Sequence, residues 1–133
     1  MIKLKNIMVN EVVGVTEIAT DTRETKVLAF ERSLQQKYSK VLDDLMFYYD
    51  SFSEGIFLSD LYIKKEFKEQ GYDTKIMNDL VAYADTNKMP ISLIPIAEHM
   101  PTRKLVAFYK RFGFVENNGN QLFDRSTMYR LPK

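Results

Sequence analysis

The 133-residue chain has no cysteine and no tryptophan, one histidine, five glycines and four prolines. Without cysteine there are no disulfides, no thiolate zinc sites and no cysteine nucleophile. The lone histidine, His99, has no acidic cluster around it, which argues against a histidine-based metal site. An excess of either charge is missing too. The 19 Lys and Arg face 18 Asp and Glu, so no net field draws the chain toward nucleic acid or an anionic membrane. No apolar run approaches the ~20 residues of a membrane-spanning helix. The opening MIKLKNIMVN has lysines but neither an apolar core region nor a small-residue cleavage site. Internal repeats and low-complexity segments are absent. What is present, 45% hydrophobic and 28% charged residues, is an ordinary globular balance. The expectation is a cytoplasmic protein of one domain over residues 1–133, burying about two-thirds of its unfolded surface.

Taken in order, residues 2–8 and 12–18 are β-branched and apolar enough for two short strands. Asp21 and Glu24 stand in capping-box spacing, and Phe30, Leu34, Tyr38, Val41 and Leu45 follow on one helical face. The aromatic run Leu45 to Tyr49 suits a strand better than a continuing helix, with Ser51 to Gly55 turning the chain into a hairpin. Ile56 to Ile63 reads as the next strand, followed by Lys64-Lys65-Glu66 as a solvated turn. From Thr74 an apolar stripe of Ile76, Met77, Leu80, Val81 and Ala84 marks an amphipathic helix, capped by Asp73 or Thr74 and closed by Asn87 and Pro90. Ile91 to Ala97 is apolar enough for a central strand, which makes a βαβ unit with a right-handed crossover.

Pro101 opens a further helix, with Leu105, Phe108, Tyr109 and Phe112 on its buried face and Gly113 ending it. Phe114 to Glu116 and Leu122 to Leu131 read as strands joined at Asn118-Gly119, a hairpin signal. In the second of these, Phe123, Thr127, Tyr129 and Leu131 alternate with Asp124, Ser126 and Arg130. The expected fold is α/β: a mixed sheet with a central βαβ unit, flanking helices and a C-terminal antiparallel hairpin.

Two constellations carry chemistry. Lys68-Glu69-Gln70-Gly71-Tyr72-Asp73-Thr74 links a strand to a helix through a glycine, where backbone amides can approach a pyrophosphate; Lys68 adds a cation and Thr74 a hydroxyl. Ala107 to Phe114, AFYKRFGF, places Tyr109 on a helix beside the parallel strands, near where their ends could splay. A phenol there, with a pKa of ~10, can give a proton to a departing thiolate. In this order the segments resemble the GNAT superfamily of N-acetyltransferases, whose members carry an Arg/Gln-x-x-Gly-x-Gly/Ala turn and, later, an aromatic pair leading into Gly-Phe. The resemblance spans Gly55 to Phe114, and the closing hairpin agrees with it.

The resemblance implies direct transfer of an acetyl group from acetyl-coenzyme A, as co-substrate, to an amine acceptor. Leu61, Tyr62 and Ile63 would pair with the pantetheine arm, the amides of Lys68 through Thr74 would hold the pyrophosphate, and Tyr109 matches the general-acid tyrosine. No metal, nucleic acid or membrane partner is implied, and the chain is expected to be a monomer or homodimer. Two residues depart from the pattern. Lys68 replaces Arg or Gln and loses the planar fork. Asp73 replaces the second small residue; its carboxylate suits a helix start but repels a pyrophosphate if it points inward. Such a chain could instead be a GNAT-shaped binding or regulatory module without catalysis. Asp60, Glu98 and His99 remain open as the general base, and the acceptor is a peptide, a protein or a small amine.

Overall fold

The computed structural model describes residues 22–96 and 102–133. The strands expected at 2–8 and 12–18 lie outside the described residues, as do Asp21, Ala97, Glu98, His99 and Pro101. No helix among the described residues is long and apolar enough to cross a membrane.

Helix α1 (Arg23–Lys37) starts at Thr22, whose hydroxyl oxygen accepts from the Thr25 amide at 3.1 Å. The cap is thus one residue beyond Asp21, and Glu24 falls in the first turn. The helix closes at Tyr38, earlier than the apolar spacing predicts. Val41 lies in the connection and Leu45 in strand β1 (Leu42–Asp50), where an aromatic, half-buried run finds a ladder partner. That partner is β2 (Gly55–Ile63), paired antiparallel from Leu42↔Ile63 to Asp50↔Gly55, so the expected hairpin is present. The Asp50 carboxylate holds its tip, accepting from the Phe52 and Ser53 amides and from the Ser53 hydroxyl at 2.9 Å.

β1 is the sheet edge among the described residues. Two of its backbone groups are taken by α1 side chains: Gln35 donates to the Leu45 carbonyl (2.7 Å), and Glu31 accepts from the Phe47 amide (3.0 Å). This occupies groups that a bare edge would offer to another chain.

From β2 the chain passes through a 3-10 turn at Lys65–Phe67, where a solvated turn was expected, into α2 (Tyr72–Thr86) and returns in β3 (Ile91–Leu93). β2 and β3 run parallel, which gives the βαβ unit. The return is pinned at Gly55, where an added Cβ would stand 2.4 Å from the Pro90 carbonyl oxygen; that oxygen accepts from the Ile56 amide. The parallel ladder contains only Ile56↔Ile91, Phe57↔Ser92 and Leu58↔Leu93. β3 therefore ends at Leu93 and not at Ala97, because Pro95 has no N–H to donate and restricts Ile94 before it. On the other side, Ser59 is skipped in the β1–β2 register, which jumps from Phe47↔Leu58 to Met46↔Asp60. Beyond Leu58, β2 pairs with β1 alone among the described residues.

α3 (Thr102–Lys110) leads through the left-handed Gly113 into β4 (Val115–Glu116), and β5 (Met128–Arg130) closes the sheet in the order β1-β2-β3-β5-β4. α1, α2 and α3 all cover one face. Leu34, Ile76, Leu80 and Tyr109 join Phe47, Leu58, Leu93 and Met128 in one buried cluster. On the opposite face Met46, Tyr48 and Ile94 are exposed.

The C-terminal pairing is antiparallel as expected, but Asn118-Gly119 is not a two-residue turn. Residues 117–127 form a longer connection around Asn117, whose amide nitrogen donates to the carbonyls of Asn120, Phe123 and Ser126 and whose oxygen accepts from Gly119 and Asn120. The expected alternation is also reversed: Met128 and Arg130 are buried, and Leu131 is exposed. Arg130 is inside because its guanidinium makes a two-pronged pair with Asp85 of α2 at 2.7 and 2.9 Å and donates through Nε to the Phe112 carbonyl at 2.7 Å.

These hydrogen bonds from Arg130 hold the Asp85 carboxyl below its ordinary value of 3.8, against the opposing pull of burial. The stabilisation is complete above that ordinary value and is lost as the pH falls through the depressed folded-state value. Asp85→Asn should lower stability by about 3 kcal/mol, because it leaves a buried guanidinium without a counter-charge. It should also flatten the acid limb of the stability–pH curve, both read from urea midpoints between pH 3 and 7.

Candidate functional site

The site is built where β2 and β3 part and α2 begins. After β2 the Lys64 amide donates to the Val41 carbonyl, which tethers the chain to the hairpin, and the Lys68 amide donates to Lys65. Glu69 and Gly71 then take left-handed backbone angles, φ 64° and 81°. Gly71 is the helix N-cap, two positions before the expected Asp73. A Cβ added to Gly71 would meet nothing within 4 Å, so the glycine answers to its backbone angle and not to crowding, and open space lies beside it.

The first hydrogen bond across the helix start is from the Lys75 amide to the Gly71 carbonyl. In the preceding row, Lys68 is engaged as above, and the Thr74 amide donates to the Asp73 carboxylate at 2.8 Å. The amides of Glu69, Gln70, Gly71, Tyr72 and Asp73 donate to no acceptor among the described residues. Such a row, at the positive end of a helix dipole, can receive an anion. Asp73 consumes one member of it and adds a negative charge.

Tyr109 of α3 comes to the same place. Its side chain is 8% exposed, with ring centroids 5.2 Å from Phe108 and 5.6 Å from Phe114. Its hydroxyl has no hydrogen-bond partner among the described residues, an unusual state for a buried phenol. Burial, then the negative charge of Asp73 and the neighbouring Tyr62, push it up to about 12. Asp73 of α2 and Tyr62 of β2 therefore act on one phenol. Near neutral pH it is protonated and acts as a hydrogen-bond donor.

Leu61, Tyr62 and Ile63 lie on the part of β2 that β3 does not pair, the part of a strand that an extended ligand can join. Lys68 through Thr74 form the turn and the first helical residues, and Tyr109 stands beside them. Asp60 is elsewhere. It is in register with the exposed Met46, and its carboxylate accepts from the Ser59 hydroxyl at 3.3 Å. Glu98 and His99 lie outside the described residues. Among the described residues no group of three His, Cys, Asp or Glu could hold a metal ion.

Two features escaped the sequence reading. Arg111 reaches from the end of α3 to within 3.5 Å of the Thr74 hydroxyl; its only sequence signal is its place two residues after Tyr109. The other feature is a cleft of about 480 Å³ on the helix-free face, with Tyr48, Phe57, Ser92, Ile94 and Asp124 in its wall. It brings together four segments that no local pattern joins. No protein-family model matches the chain, and no curated protein matches it.

If Asp73 and Tyr109 share this space, Asp73→Asn should lower the Tyr109 titration midpoint from about 12. Carbon-13 NMR of the Tyr109 Cζ resonance reads this directly. An unchanged midpoint would separate the two groups.

Proposed function

We propose that the chain is an acetyl-coenzyme A-dependent N-acetyltransferase of the GNAT type, which passes the acetyl group directly to an amine. The observation that carries this reading is the buried Tyr109 hydroxyl, which has no hydrogen-bond partner among the described residues and feels both Asp73 at the start of α2 and Tyr62 where β2 has left β3. In this reading Leu61, Tyr62 and Ile63 pair with the pantetheine arm, and the amides from Glu69 to Asp73 hold the diphosphate. The thioester then lies at the parting of β2 and β3. Ser92 and Ile94 flank Leu93 at that point and open to the cleft on the helix-free face, which supports entry of the acceptor from that side.

The amine nitrogen attacks the thioester carbonyl carbon. An N–C bond forms, the C–S bond breaks, and the surplus amine proton passes to water. A phenol near 12 is a weaker acid than an alkyl thiol, at ~8.5. Tyr109 therefore stabilises charge developing on the departing sulfur through its O–H hydrogen bond and keeps its proton; the sulfur leaves as the thiolate, which equilibrates with solvent protons. This modifies the general-acid role that the resemblance implies.

A second reading, a module that binds without turnover, is favoured by Asp73, whose carboxylate already holds the Thr74 amide and adds a negative charge to the first turn. Calorimetric titration with acetyl-coenzyme A tests the first reading: binding should be measurable below millimolar ligand, and no heat at millimolar ligand removes the reading. Tyr109→Phe should lower kcat by about 100-fold with little change in cofactor affinity, as expected for a donor used in the transition state. Equal losses in both would contradict the role. If Asp73 blocks the site, Asp73→Gly should strengthen cofactor binding and leave the fold intact.

A further inference from the structure

We infer that Arg111 is a phosphate-binding residue of this site, clamping the diphosphate of the cofactor against the start of α2. The inference rests on the acyltransferase reading and names a side chain that neither the motif nor the turn supplies. The guanidinium stands 5.2 Å from the Phe108 ring centroid and 6.0 Å from that of Phe112. These rings hold a planar cation in place before any ligand arrives. Its one hydrogen bond is a long contact to the Thr74 hydroxyl at 3.5 Å, and no carboxylate pairs with it among the described residues. Arg111 is exposed, and no carboxylate among the described residues neutralises its charge.

Its position meets a specific need. Asp73 places a negative charge in the amide row and occupies one of the N–H groups. An anion bound there needs a compensating cation, and Lys75, the lysine of the first helical turn, lies 5.0 Å over the Tyr72 ring as a point charge. Arg111 offers a fork that can take two phosphate oxygens. It comes from α3, so a ligand would be held between two helices. The buried hydroxyl of Tyr109, without a hydrogen-bond partner among the described residues and near enough to Asp73 to feel its charge, is the independent sign that a ligand belongs here. Nearby Lys110 is already paired with Glu116 at 3.0 Å and serves as a control.

The test titrates the full chain with coenzyme A, 3′-dephospho-coenzyme A and pantetheine at one fixed salt concentration. Arg111→Met keeps the aliphatic cover over Phe108 and removes the charge. It should weaken coenzyme A and dephospho-coenzyme A alike by about tenfold or more, and leave pantetheine unchanged. Arg111→Lys should recover part of the loss, and Lys110→Ala should match the unaltered chain. Undiminished coenzyme A binding by Arg111→Met overturns the inference alone. So does a loss confined to coenzyme A, which would move the contact to the 3′-phosphate, or a loss shared by pantetheine, which would make the effect structural. Failure of the unaltered chain to bind coenzyme A overturns the acyltransferase reading and this inference with it.

Discussion

The parallel ladder between β2 and β3 stops after three pairs, and the rest of the site depends on that stop. A parallel strand pair usually continues until one chain turns away, and both faces and edges are then filled. Here Pro95 removes the next donor from β3, and the skipped Ser59 bends β2 at the same level. The sheet opens toward the carboxyl ends of its two parallel strands. In open α/β sheets that end is where helices present their N-termini and where ligands bind. α2 begins there, and α3 delivers Tyr109 to the same gap. Had the ladder run on to Ala97, a strand would have covered the edge of Leu61, Tyr62 and Ile63.

An opening of this kind must be held by rigid surroundings, or it collapses. Two fixtures hold it from outside the gap. At the closed end, Gly55 lets the Pro90 backbone approach so nearly that no other residue fits without displacement. Behind α2, Arg130 joins three segments: Asp85 on the helix, the Phe112 carbonyl after α3, and its own strand β5. Because side chains in a strand alternate, a slip of one residue in β5 would expel Arg130 and strand the Asp85 charge. The ion pair thus fixes register as well as the seating of α2 and α3, on which the relation between Gly71 and Tyr109 depends.

The hairpin, the βαβ unit and the apolar stripe of α2 were legible because each is a local pattern: aromatic and β-branched runs, a glycine-bearing turn, residues at helical spacing. The failures share one cause, a distant partner that overrides the local pattern. Arg130 reads as a surface residue until Asp85, 45 positions away, is brought beside it. Asn118-Gly119 reads as a tight turn until Asn117 organises the longer loop. Val41 fits the periodicity of α1, yet it lies beyond the helix, where its carbonyl accepts from the Lys64 amide at the far end of the hairpin. Pro95 is different, since its meaning was local and was passed over in favour of apolar continuity. At the site, the turn and Tyr109 were legible as motifs. The arrival of Arg111 was not.

Asp73 brings the competing demands on this site together. A carboxylate in the first turn stabilises the helix dipole and satisfies the Thr74 amide, so the protein gains from it when no ligand is bound. The same charge raises the cost of ionising Tyr109, which is already high from burial, and so keeps the phenol a donor across the ordinary pH range. Against an incoming phosphate the carboxylate acts with the opposite sign, and the free amides alone must overcome both its repulsion and the loss of Thr74. A guanidinium held 3.5 Å from the Thr74 hydroxyl restores the balance at the one place where it is disturbed. In the proposed function, aspartate and arginine together make a helix start that is stable when empty and receptive to a doubly charged group, while the neutral phenol beside it remains shielded from water.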